Sequence, residues 1–383
     1  MKLNFWALLF ILFFSTPFYA IGEKTKADET KATEKTENKF KPNPKFKDLP
    51  DNTVIELGKF EWEKPLGEPA IGQVTDYSGM TYDPHNHRIL LFGGGHSSTW
   101  TDAIYSFDFE TLKFVALYKP TPFSEYKQDN VDRAFFLKGP EGNYPRPVGR
   151  HTYDLLVVPD DRNELWMLRS GSGPSAAAPG FGYIGGAIGK YDFKTNQWEL
   201  IDSKGVTFGG YGGVAEYDPE SKTIIGILGQ TISSYDVNKR TTTKLIDDIQ
   251  DKFKDNFGYS GCLVYFPPTK KMIIFGPKAK SVWTLSTNAK DLKKSVLSKV
   301  ENSGDFPKIE TSYVYDTKNK IMGGGISDNK FYAFDPIKES WESKEIQGGT
   351  PKQIAFHCIA YSPIDNVYIF IAAKKIWAYR WKN

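Results

Sequence analysis

Five histidines are scattered through this sequence, and three of them, His96, His151 and His357, stand beside residues able to move protons or hold anions. His96 follows Gly93-Gly94-Gly95, His151 lies within Arg150-His151-Thr152-Tyr153, and His357 precedes Cys358. Imidazole titrates near neutral pH and so serves as acid or base. Tyr144 and Tyr183 add hydroxyls, while Arg146, Arg150 and Arg169 add the planar fork that matches a carboxylate or sulfate. Such a set suits β-elimination from a uronic acid, in which a cation neutralises the carboxylate, a base takes the adjacent proton and an acid serves the departing oxygen. In that reading His96, His151, Tyr183 and Arg150 carry the chemistry, and Arg146, Arg169, Tyr144 and His357 hold the ligand. The three histidines would also make a zinc or copper site with one open position. None of them has a His-x-x-x-His partner, so hydrogen bonds to neighbouring loops are the competing account, and no cofactor is expected.

The elements that must position these residues are read from a recurring unit. It runs Tyr-Asp-Pro or a variant, then a polar turn, then a run of Ile, Leu and Met. Copies begin at Tyr82, Tyr217, Tyr265, Tyr315 and Tyr361, with a divergent one at Val157-Val158-Pro159. The apolar runs tend to end in glycine, as at Gly93, Gly276 and Gly323. A third strand follows, such as Tyr105-Ser106-Phe107-Asp108, and then a fourth that often carries an aromatic residue: Phe114, Trp198 or Trp341. The last four marker tyrosines fall 48, 50 and 46 residues apart, which suits a four-stranded meander repeated around a ring.

The glycines after the second strand and the aromatic on the fourth resemble the kelch motif, which also occurs in the central domain of galactose oxidase. The resemblance covers roughly Tyr77 to the C-terminus and implies an all-β fold, a six-bladed kelch-like β-propeller over residues 52–383. Seven blades is the alternative if the stretch from Leu117 to Arg150 hides a degenerate one. The final unit lacks a fourth strand, and Asn52-Thr53-Val54-Ile55-Glu56-Leu57 is strand-like, so this N-terminal strand is expected to close the last blade. Copper-radical oxidation of the galactose oxidase type would need a tyrosine crosslinked to a cysteine. Cys262 and Cys358 instead sit at equivalent first-strand positions, three before a marker tyrosine, where they read as buried free thiols.

Blade topology sorts the histidines. His85 and His87 fall in a first-strand turn on one face, where solvated side chains are expected. His96, His151 and His357 fall toward the opposite face, in the neighbouring blades 1, 2 and 6. The two longest insertions, 118–149 and 169–186, leave from that face too, and long loops on a rigid scaffold are where binding concentrates. Some propeller-type polysaccharide lyases, the ulvan lyases among them, are similar in using His, Tyr and Arg. Three functions are therefore open: binding of an extracellular acidic polysaccharide, its cleavage by β-elimination, and a protein-interaction scaffold at the cell surface.

Lys2, the apolar run from Phe5 to Phe14 and the small residues after Pro17 read as a signal peptide over residues 1–22, and hence as a secreted or periplasmic protein. The run is shorter than the roughly 20 residues of a membrane span, so no transmembrane anchor is expected after cleavage. Residues 23–51 are rich in Lys, Glu and Thr and read as a flexible polar tether. A formal net charge of +3 over 383 residues gives no electrostatic footprint for a nucleic-acid partner.

Overall fold

The computed structural model describes residues 39–68, 72–94, 99–131, 136–138, 145–168, 187–201, 212–228, 231–247, 249, 261–276, 281–307 and 312–383. The signal peptide and the first part of the tether lie outside them.

The described chain is all-β, folded into many small meandering sheets of propeller type. One meander runs Gly79–Asp83, Arg88–Phe92, Tyr105–Asp108, Lys113–Ala116. The next runs Leu156–Val157, Glu164–Met167, Ile188–Asp192, Gln197–Ile201, and a third Val214–Asp218, Thr223–Leu228, Thr231–Asp236, Thr241–Ile246. Then come Cys262–Phe266, Lys271–Phe275, Val282–Ser286, Val296–Lys299, and Tyr313–Asp316, Ile321–Ser327, Lys330–Asp335, Ser340–Glu345. The last meander is Ile354–Ser362, Val367–Ala372, Lys375–Arg380, and on its outer edge Thr53–Lys59 lies antiparallel to Lys375–Arg380. A single parallel pair, Gly79 with His357, joins the last meander to the first.

Two turn devices repeat along the chain and account for the sequence markers. In the first hairpin, the residue five after the marker tyrosine has positive φ: His87 at 48°, Lys222 at 56°, Lys270 at 55°, Lys320 at 58° and Asn366 at 52°. This is the left-handed residue that lets a four-residue loop match the strand twist. The Asp of Tyr-Asp-Pro pins the loop, Asp83 Oδ1 accepting from the amide of His85 at 3.0 Å and Asp316 Oδ1 from that of Asn319 at 2.8 Å. In the outer hairpin Asp108, Asp192, Asp236 and Asp335 accept amides two and three residues on in the same way.

Apolar side chains fill the spaces between neighbouring sheets. Phe92 and Trp198 meet at 5.8 Å between the first and second meanders, and Phe275 and Phe334 at 5.8 Å between the fourth and fifth. The expected fourth-strand aromatics Phe114, Trp198 and Trp341 are all buried here. Cys262 and Cys358 are buried free thiols, Cys262 Sγ accepting from the Tyr313 amide at 3.3 Å.

Three expectations need correction. The tether does not extend to residue 51: Pro44–Lys47 is a short helix capped by Asn43, Phe46 is fully buried against Phe109, and Arg380 donates to the Leu49 carbonyl at 2.8 Å. Two apolar residues in a charged stretch were enough to dock it. His87 is not solvated, because it stacks on Phe109 at 4.4 Å and its ring nitrogens face Tyr82 Oη at 2.9 Å and Asp365 Oδ2 at 3.2 Å. The described part of 118–149 holds two 3₁₀ turns and a two-residue ribbon, Phe136–Leu137 with Arg146–Pro147, in place of a further meander. Buried Asp102 fastens it, accepting from the Thr121 amide at 2.8 Å and the Thr121 hydroxyl at 2.7 Å.

Candidate functional site

The first strands begin at one end of the molecule, and there three distant segments meet. The Tyr153 amide donates to the Tyr77 carbonyl at 3.0 Å, and the Gly79 amide donates to Thr152 Oγ1 at 3.1 Å. Thr152 in turn donates to the Phe92 carbonyl at 2.6 Å. Gly79 is required: a Cβ there would sit 2.0 Å from the Tyr153 carbonyl oxygen. This close approach brings His151 and Tyr153 beside the strand pair formed by Gly79 and His357.

The side chains form one buried cluster. His151 Nδ1 and Tyr153 Oη are hydrogen-bonded at 3.0 Å. The Tyr77 ring stacks on His151 at 4.1 Å and 24°, and the Tyr153 ring stands edge-on to His357 at 6.4 Å. His357 Nδ1 is hydrogen-bonded to Ser312 Oγ. Burial holds the His357 imidazole neutral by lowering its pKa from 6.5 to about 4. Tyr77 and Tyr153 both have positive φ, 56° and 44°. For bulky residues this is strained backbone, which the surrounding hydrogen bonds must hold in place and which tends to gather at functional sites.

His151 and His357, expected to converge, both contact Tyr153. Arg150 is fully buried beside them in the chain, its Nε donating to the Val148 carbonyl at 3.0 Å. Arg146 is held elsewhere: its guanidinium lies 3.5 Å from Asp102 Oδ2 and over the Tyr118 ring at 4.8 Å, with 24% of the side chain exposed. His96, Tyr144, Arg169 and Tyr183 lie outside the described residues, so the metal reading of His96, His151 and His357 does too. Among the described residues no group of three or more metal-ligating side chains gathers.

Tyr77, Tyr153 and Ser312 were not singled out from the sequence. Tyr153 carried a signal, since it stands two residues from His151 on an extended segment, where both side chains share a face. Tyr77 and Ser312 carried none, because only the ring of first strands brings them in.

No protein-family model matches the chain, and no curated protein matches it. Among solved structures it is similar to a gluconolactonase of Xanthomonas campestris, at 8% identity over 85% of this chain and 88% of that one, with a TM-score of 0.47. A Bacteroides thetaiotaomicron protein of unknown function is similar at 10% identity over 87% and 73% of the two chains, TM-score 0.45. A chain of a nidogen/laminin complex is similar at 9% identity over 69% and 78%, TM-score 0.39. All three superpose loosely, so the fold and site described above stand on this chain's own sheets and side chains.

Proposed function

We propose that this is a secreted, six-bladed kelch-like propeller, closed by the strand Thr53–Lys59, that binds an extracellular acidic polysaccharide over the His151–Tyr153–His357 cluster. The blade count is supported by the neighbour order of the first strands, each lying beside the next and the last lying beside the first. The signal-like leader supports export. The observation that carries the site is the meeting of Tyr77, His151, Tyr153 and His357 from three separated segments at one end of the first strands. Rings that stack on sugar faces and a neighbouring buried guanidinium suit a carboxylated or sulfated glycan. The test is binding to a panel of uronic-acid and neutral polysaccharides. Affinity for the acidic members that His151→Ala removes is the expected result; equal affinity for neutral ones overturns the reading, and silence across the panel favours the scaffold role.

The hydrogen bond between His151 and Tyr153 favours cleavage as a second reading. A tyrosine hydroxyl paired with an imidazole can pass a proton in either direction, as β-elimination requires. Growth of ultraviolet absorbance from an unsaturated product would establish it.

A further inference from the structure

The first strands also enclose a second feature, a channel of about 350 Å³. Its wall includes the residue just before each marker tyrosine: Thr81, Glu216, Val264, Val314 and Ala360. Four of the five positions hold a neutral side chain and one holds a carboxylic acid. A second carboxyl, Asp154, joins it, and the marker tyrosines Tyr82, Tyr217, Tyr265, Tyr315 and Tyr361 supply aromatic wall. No lysine or arginine lines the channel.

The two carboxyls are poorly compensated. Asp154 Oδ2 accepts from the Leu263 amide at 3.1 Å, and Glu216 Oε1 accepts from the Tyr217 amide at 2.8 Å. The charged or titratable groups that face Glu216 are Asp154 and Asp160, and Cys262 lies against both carboxyls. Every one of these is acidic. Burial, with mutual repulsion added at Glu216, raises Asp154 to about 7 and Glu216 to about 8.

We infer that the channel is a binding site for a small alkylammonium cation, held by Asp154 and Glu216 within tyrosine walls. A cavity of this size admits a small molecule, its aromatic and apolar wall suits the alkyl groups, and tyrosine rings attract a cation that has shed its water. The carboxyls supply the opposite charge that the channel otherwise lacks. An ammonium on them favours their ionised form, so binding releases a proton near neutral pH and strengthens as pH rises.

Choline is the probe, with the uncharged analogue in which carbon replaces nitrogen as its control, titrated calorimetrically into the whole protein. Choline is expected to bind, and the uncharged analogue to bind roughly tenfold more weakly or worse. Affinity rises by up to about tenfold per pH unit below pH 7 and levels off above pH 8, where both carboxyls are ionised. Asp154→Asn with Glu216→Gln removes that pH dependence and weakens binding. The wild-type pH profile needs no variant, so a double variant that fails to fold leaves the test intact. No binding at millimolar choline, equal binding of the uncharged analogue, or a flat pH profile overturns the inference. So does binding of calcium where choline is silent.

Discussion

At one end of the first strands His357 gives up its proton readily and stays neutral down to about pH 4, while in the channel the same strands enclose, Asp154 and Glu216 keep theirs up to about 7 and 8. The cause is shared. Each group is withdrawn from water with no opposite charge to offset the loss, and each responds by becoming neutral. The consequences for a ligand differ. A neutral imidazole beside a tyrosine hydroxyl can accept a proton, whereas a protonated carboxyl pair can release one to make room for a cation. Two sites built from neighbouring residues, His151 and Tyr153 on one side and Asp154 on the other, thus present opposite chemistries.

The largest expected effect tests the histidine side. Tyr153→Phe keeps the ring between His151 and His357 but deletes the hydroxyl that bonds His151 Nδ1. If the pair moves protons during elimination, turnover of a uronic-acid polymer falls by about 10²-fold or more with binding little changed. A variant with wild-type turnover would reduce the cluster to a binding surface.

His357 gives the next effect, through stability. Its folded pKa lies below the unfolded value of 6.5, so its contribution is complete above pH 6.5 and is lost as pH falls through about 4. The loss is on the order of 3 kcal/mol. Urea unfolding of the wild type and His357→Asn across that window measures it, the variant lacking that part of the acid sensitivity. A variant that loses stability in acid as steeply as wild type would mean that His357 is charged in the folded protein.

Much of the fold was legible because its markers are local. The Tyr-Asp-Pro turns need an aspartate to bind amides and a residue that tolerates positive φ, and both lie within five residues of the marker. The outer aromatics were visible for the same reason. The site was legible in part: His151 and His357 could be brought together by counting units, but Tyr77 and Ser312 join through a ring of strands that no local pattern encodes. The docking of Phe46 was missed because composition averaged over a charged segment conceals a single buried ring. Glu216 left a signal that periodic alignment exposes, an acid where the equivalent positions hold Thr81, Val264, Val314 and Ala360.

The smallest expected effect belongs to that glutamate and has the opposite sign to His357. Glu216 and Asp154 are raised above their unfolded values of 4.5 and 3.8, so the stability their protonated forms retain is present in acid and is lost as pH rises toward 8. Glu216→Gln keeps an acceptor for the Tyr217 amide while removing the charge. It should leave stability at pH 4 nearly unchanged and raise it at pH 8 by roughly 1–2 kcal/mol, less than full burial would give because part of the side chain faces the channel. Urea midpoints at the two pH values check this. A variant less stable at pH 8 than wild type would mean that the folded protein already holds a positive charge against Glu216. The contrast with the histidine cluster would then be one of compensation in place of burial.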